Sequence, residues 1–213
     1  MRVAIIGQGY VGLTIAVGAA GAGHEVVGFD VNKELVNQLN SGTSHIEGIS
    51  DSALKSLLSN NTYTASTDAS SVNGCDVIVI AVPTPLTESR EPDLSFVHAA
   101  VELIQNNVKT PTLVINESTS YPGTLRKEIA ARINGIQHLY ASSPERVDPG
   151  NTQWGTKNTP RLIGGLTPAA VVGQRLPNGR WIILDEIVTF DMGLERFGQQ
   201  LLAELNARYP KAQ

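Results

Sequence analysis

Three glycines, Gly7, Gly9 and Gly12, and a carboxylate at Asp30 are the residues whose types and spacing bear most directly on chemistry. The pattern G-x-G-x-x-G suits a backbone that must approach a pyrophosphate. Gly7 permits a tight turn, Gly9 keeps a side chain away from the phosphates, and Gly12 lets a helix pack close to the preceding strand. A helix opening there presents free amides and the positive end of its dipole, so anion binding requires no lysine. Asp30 follows at roughly 20 residues, where a carboxylate accepts from both ribose hydroxyls of an adenosine. It would repel a 2′-phosphate and no arginine follows it closely, which favours NAD over NADP; Lys33, the first cation after it, tempers that preference.

A glycine fingerprint alone is weak, so the surrounding elements decide its meaning. Residues 3–6 and 24–29 are short apolar runs of the kind buried parallel strands need, and they flank the glycines and Asp30. Apolar spacing predicts helices over 32–41 and 51–59, and a strand over 62–67. A buried strand over 76–82 runs into Pro83-Thr84-Pro85, whose fixed backbone makes a rigid rim. Asp93 is placed to cap a helix over 94–108, with Phe96, Val97, Ala100, Val101 and Ile104 toward the core. A strand over 112–115 ends in the polar cluster Asn116-Glu117-Ser118-Thr119-Ser120, and Pro122 suits the first position of a helix reaching 133. A strand over 138–141 ends in Ser142-Ser143-Pro144-Glu145-Arg146. Strands followed by polar, proline-bearing loops and then mostly by helices define an α/β fold: a Rossmann-like doubly wound parallel sheet with helices on both faces and its ligand loops on one rim.

Composition narrows the function classes. The net charge is −4 with no basic block, which gives no electrostatic footprint for nucleic acid or an anionic membrane. No apolar stretch is long enough to span a bilayer, and residues 1–6 lack the features of a signal peptide. A single cysteine, Cys75, excludes an internal disulfide and fits a reducing compartment, so a cytoplasmic location is expected. Cys75 precedes the strand over 76–82, at the amino end of the sheet, and reads as a small structural residue. His24, His45, His98 and His138 show no metal-ligand spacing, so no metal site is expected.

The segments GQGYVGL, AVPTPL, REPDLSFV, ESTSYPGT and SPERVDPGN, in this order, resemble the UDP-glucose and GDP-mannose dehydrogenase family. The last two look most like its UDP-N-acetylhexosamine branch, particularly UDP-N-acetylglucosamine 6-dehydrogenases. The resemblance spans residues 1 to about 164. It implies oxidation of a sugar C6 alcohol to a carboxylate with two NAD, through a thioester on a cysteine. It assigns Gly7, Gly9, Tyr10, Val11, Gly12 and Asp30 to the cofactor, with Val82, Pro83 and Thr84 beside it. Thr119 would help hold a water, and Glu145 would assist the general-base work that hydrolyses the thioester. Read without the resemblance, Glu145 simply caps the loop through Arg146. The family's nucleophilic cysteine, with its lysine, asparagine and aspartate partners, belongs to a central helix and a second domain that are not matched in this chain.

From about Gly165 the pattern changes. Residues 170–176 and 181–188 read as strands joined through Asn178-Gly179, and Asp191 can cap a helix carrying Leu194, Phe197, Leu201, Leu202 and Leu205. This stretch resembles the start of the nuclease domain of phage terminase large subunits, although the metal-binding aspartate expected before Gly165-Leu166 is replaced by Ile163 and Gly164. Asp185, Glu186 and Asp191 read as surface or capping residues. The sequence therefore divides into an NAD-binding domain, 1–164, and a hairpin-plus-helix appendage, 165–213. Two readings stay open: the NAD-binding part of a nucleotide-sugar dehydrogenase, with a UDP-sugar as second ligand, or a nuclease or packaging-associated interaction protein on a Rossmann scaffold. A hairpin and one helix bury too little surface to fold alone, so residues 166–213 must pack on the Rossmann domain or on a second copy, as in a homodimer. Deleting them is expected to lower the melting temperature or change the oligomeric state, measured by calorimetry and by sedimentation.

Overall fold

The computed structural model describes residues 1–144 and 163–167 of the 213. Six short strands form a parallel sheet: β1 (Arg2–Ile6), β2 (Glu25–Phe29), β3 (Tyr63–Ser66), β4 (Val77–Ile80), β5 (Leu113–Asn116) and β6 (Leu139–Ser142). Their order is β3-β2-β1-β4-β5-β6, and β7 (Gly164–Gly165) adds to the β6 edge in the antiparallel sense. The order reverses direction between β1 and β4, which opens a crevice at their carboxyl ends.

Apolar residues on both faces make these strands. In β1, Val3 and Ile5 join the core on one side of the sheet, and Ala4 and Ile6 the core on the other, as the two-residue period requires. The first core receives Leu13 and Ala16 of α1 (Tyr10–Gly21), Leu39 of α2 (Lys33–Asn40) and Leu54 of α3 (Asp51–Ser59). The second receives Val97, Val101 and Ile104 of α4 (Ser95–Asn107). Local chemistry sets the helix starts. The Asn32 side chain accepts from the amides of Glu34 and Leu35, and Ser50 Oγ accepts from Ala53; at α4 the N-cap is Leu94, with no side-chain cap, and Asp93, one residue ahead of it, accepts from the Ser95 amide at 2.8 Å through Oδ1.

Three expectations need correction. The strand over 76–82 stops at Ile80, so Ala81 and Val82 leave the sheet and turn toward the crevice. Phe96 does not join the core; it is 48% exposed, because α4 buries the Val97 and Val101 stripe instead. Pro122 does not open a helix, since Gly123 behind it has a left-handed backbone with φ of 96°, which no helix accommodates. Helical structure begins later, as a π turn over Leu125–Ile129 and a 3₁₀ turn over Ala130–Arg132. The two tail strands, the tail helix and Glu145 lie outside the described residues.

At the amino end of the sheet, Cys75 is buried and its carbonyl accepts from Thr112 Oγ1 at 2.8 Å. His138 is buried beside Thr112, whose amide donates to the His138 Nδ1 at 3.2 Å, which requires an unprotonated nitrogen. Burial lowers the pKa of His138, and also that of His24, from the ordinary 6.5. A pKa depressed on folding contributes stability above the unfolded value that is lost as pH falls through the folded value. The melting temperature is therefore expected to fall as pH drops below about 6.5, and His138→Gln should flatten that slope to the His24 share in a calorimetric pH series.

Candidate functional site

The crevice is assembled where β1 ends. Gly7 has φ of 93°, and its amide donates to the Phe29 carbonyl at 2.8 Å, tying the turn to the end of β2. A methyl group on Gly12 would overlap the Gly7 carbonyl oxygen, so only glycine lets α1 start this close to the strand. At Gly9 the opposite holds: a side chain there would meet nothing within 4 Å, so the turn is open on the side a ligand would approach. No side chain caps α1 and no acidic residue stands in its first turn. Leu13 makes the first intrahelical bond, donating to Gly9 at 2.9 Å, which leaves the Tyr10, Val11 and Gly12 amides ahead of the helical ladder. Together with the dipole, these form an anion site without a cation.

Asp30 closes the other side. Its Oδ2 accepts from the Gln8 amide at 2.8 Å and its Oδ1 from the Asn32 amide at 2.9 Å. Each oxygen uses one backbone donor and keeps a lone-pair direction for a ligand hydroxyl, so the carboxylate is aimed before anything binds. Beneath it lies a buried polar group that the sequence did not single out: Gln8, fully buried, and Tyr63, 2% exposed, whose hydroxyl donates to Gln8 Oε1 at 2.9 Å. Burial, and then the Asp30 charge, push the Tyr63 hydroxyl pKa well above its usual value.

Between these parts runs a cleft of about 600 Å³, lined on one side by Gly7, Gly9, Tyr10, Val11 and Asp30. Val82, Pro83 and Thr84 line the other side, with Glu117, Ser118 and Thr119 beyond the end of β5. Gly12 is buried under the turn, and Lys33 is exposed at the start of α2; neither lines the cleft. Ser118 braces the proline loop, since its Oγ accepts from the Val82 amide at 3.0 Å and donates to the Val82 carbonyl at 2.8 Å. Thr119 is exposed on the rim, whereas Glu117 is buried, with 6% of its surface exposed. Val31, 83% exposed, and Phe96 add apolar walls that were not expected there. Lined mostly by apolar residues, with the free amides of α1 and the fixed Asp30 carboxylate on one wall, the cleft has the chemistry of a dinucleotide site. Among the described residues, no group of three or more His, Cys, Asp or Glu could hold a metal, and no helix is long and apolar enough to cross a membrane.

The sequence profile of the UDP-glucose/GDP-mannose dehydrogenase family, NAD binding domain, matches residues 1–176. The chain belongs to this family. It is 35% identical over 177 residues to the UDP-N-acetyl-D-mannosamine dehydrogenase of Pyrococcus horikoshii, an alignment covering 80% of this chain and 42% of that protein. It is 33% identical over 174 residues to the UDP-N-acetyl-D-glucosamine 6-dehydrogenase of Salmonella typhi, covering 78% and 40%. The solved structure of the UDP-D-ManNAc dehydrogenase from Pyrococcus horikoshii superposes with a TM-score of 0.73 at 35% identity, covering 80% of this chain and 42% of that one. A ternary complex of GDP-mannose dehydrogenase from Pseudomonas aeruginosa gives a TM-score of 0.71 at 26% identity, covering 78% and 41%. The chain thus spans well under half the length of these relatives and comprises the NAD-binding domain of a nucleotide-sugar dehydrogenase family. The family match includes residues 165–176, the start of the stretch that resembles a terminase nuclease domain, and the terminase likeness gains no support from these relatives.

If Asp30 reads the adenosine ribose, Asp30→Ala should weaken NAD binding by about thirtyfold, the equivalent of about 2 kcal/mol for a charge-assisted hydrogen bond, and strengthen NADP binding by relieving the repulsion of its 2′-phosphate, so that most of the preference is lost. Titration calorimetry with both dinucleotides measures this.

Proposed function

We propose that this chain is the cofactor-holding part of an NAD-dependent 6-dehydrogenase acting on a UDP-N-acetylhexosamine. The observation that carries the reading is Asp30, aimed by two backbone amides at the open turn of Gly9 across one continuous cleft. The residues present fit the dinucleotide. The amides of Tyr10 and Val11 would hold the pyrophosphate, Asp30 the adenosine ribose, and Val82, Pro83 and Thr84 the nicotinamide end. When bound, NAD supplies the hydride acceptor. In this reading Thr119, on the rim beside that end, positions a water, and Glu145 serves as general base. The substrate class rests on the ESTSYPGT and SPERVDPGN segments and on the names of the relatives, which are dehydrogenases of UDP-N-acetyl sugars. A cytoplasmic setting, supported by the single cysteine, and pairing of two copies through residues 166–213 complete the proposal.

Full oxidation to the acid requires the aldehyde to be held between two hydride transfers, which in this family falls to a thiolate. The one cysteine of the 213 residues cannot serve, because Cys75 is buried at the amino end of the sheet, opposite the cleft, where burial also raises its thiol pKa. The 213-residue polypeptide is therefore expected to bind NAD without turning over UDP-N-acetylglucosamine. Following NADH absorbance in a mixture of protein, NAD and the UDP-sugar tests this. A steady rate abolished by Glu145→Ala would show that these residues alone complete the reaction.

A further inference from the structure

Resting on the NAD reading above, we infer that Tyr63 and Gln8 are positioning residues for cofactor discrimination: together they hold the Gln8 peptide whose amide aims Asp30 at the ribose. Gln8 has a double role. Its backbone amide donates to Asp30 Oδ2 at 2.8 Å, while its side chain turns inward and is fully buried. There Nε2 donates to the carbonyls of Ile5 at 3.0 Å and Gly7 at 3.1 Å. With both amide hydrogens facing carbonyls, Oε1 must face a donor, and the Tyr63 hydroxyl at 2.9 Å is that donor. The residue is thereby fixed at side chain and backbone at once, in the middle of the glycine turn.

The surroundings are shaped to keep this pair. Tyr63 sits on β3 and is paired with Val26 of β2, two residues before Gly28. A methyl group on Gly28 would run into Gln8 Oε1 and would come within 2.9 Å of the Tyr63 hydroxyl oxygen, so the strand carries no side chain where the two polar groups meet. Tyr63 also feels the Asp30 charge, which contributes to its raised pKa. A path of two hydrogen bonds and one residue thus connects β3, outside the cleft, to the carboxylate inside it. Neither Gln8 nor Tyr63 lines the cleft, so neither touches the cofactor and their effect must pass through Asp30.

Titrating Tyr63→Phe and the unaltered chain with NAD, NADP and ADP-ribose by calorimetry, alongside their melting temperatures, tests the inference. Removing the hydroxyl leaves Gln8 Oε1 buried without a donor and frees the turn. NAD and ADP-ribose affinities should each fall about fivefold, the factor for one neutral hydrogen bond, with NADP unchanged, so the preference for NAD shrinks by the same factor. A lower melting temperature with an unaltered NAD to NADP ratio would make the pair merely structural and overturn the inference. If Tyr63→Phe does not fold, Gly28→Ala displaces the same two groups without deleting either and is read by the same ratio. Failure of the underlying reading looks different: the unaltered chain would itself show no preference between NAD and NADP.

Discussion

The contact between Gly12 and the carbonyl of Gly7 is the constraint on which the rest of the site depends. It sets α1 against the end of β1 more closely than any side chain permits, and it points the uncapped first turn of the helix at the crevice. Had a larger residue stood at 12, the helix would have to withdraw, and its amides would leave the position from which they can reach a pyrophosphate. The flanking strands follow from this. β1 is bounded by β2 and β4 in parallel register, so the turn lies where the strand order reverses and the cleft can run to both sides.

The two ends of the cleft are held by different chemistry. At the β2 end the fixing interactions are polar and mostly buried: backbone amides aim Asp30, and the Gln8 and Tyr63 pair holds one of those amides. At the β4 end stiffness is covalent, from Pro83 and Pro85, with the Ser118 hydroxyl bound to both the amide and the carbonyl of Val82. Only the exposed rim, with Tyr10, Val31, Phe96 and Thr119, is free to adapt to what binds. A rigid floor with a softer rim suits a site that must hold an elongated ligand in one alignment.

Most of the fold was legible because its signals are local. Continuous apolar runs mark strands buried on both faces, and the glycine spacing followed by an acid marks the turn and the end of β2. Local signals misled where two of them competed. In α4, Phe96, Ala99, Ala100 and Leu103 form one apolar stripe and Val97, Ala100, Val101 and Ile104 another; periodicity cannot say which faces the sheet and which the cleft. Pro122 suggested a helix start, but the left-handed Gly123 behind it takes the chain out of helical geometry. Gln8 and Tyr63 were illegible for a plainer reason. They are 55 residues apart, and each looks ordinary until β3 pairs with β2 and brings them together. Ser118 is a similar case, since a serine in a polar cluster gives no sign that its partner is the backbone of Val82.

That the turn at Gly9 and the carboxylate of Asp30 together hold one dinucleotide is the central claim. A crystal structure of the chain grown with NAD addresses it directly. The expected result is pyrophosphate oxygens against the amides of Tyr10 and Val11, with both adenosine ribose hydroxyls donating to Asp30. NAD bound elsewhere, or lying in the cleft with its ribose away from Asp30, would contradict it.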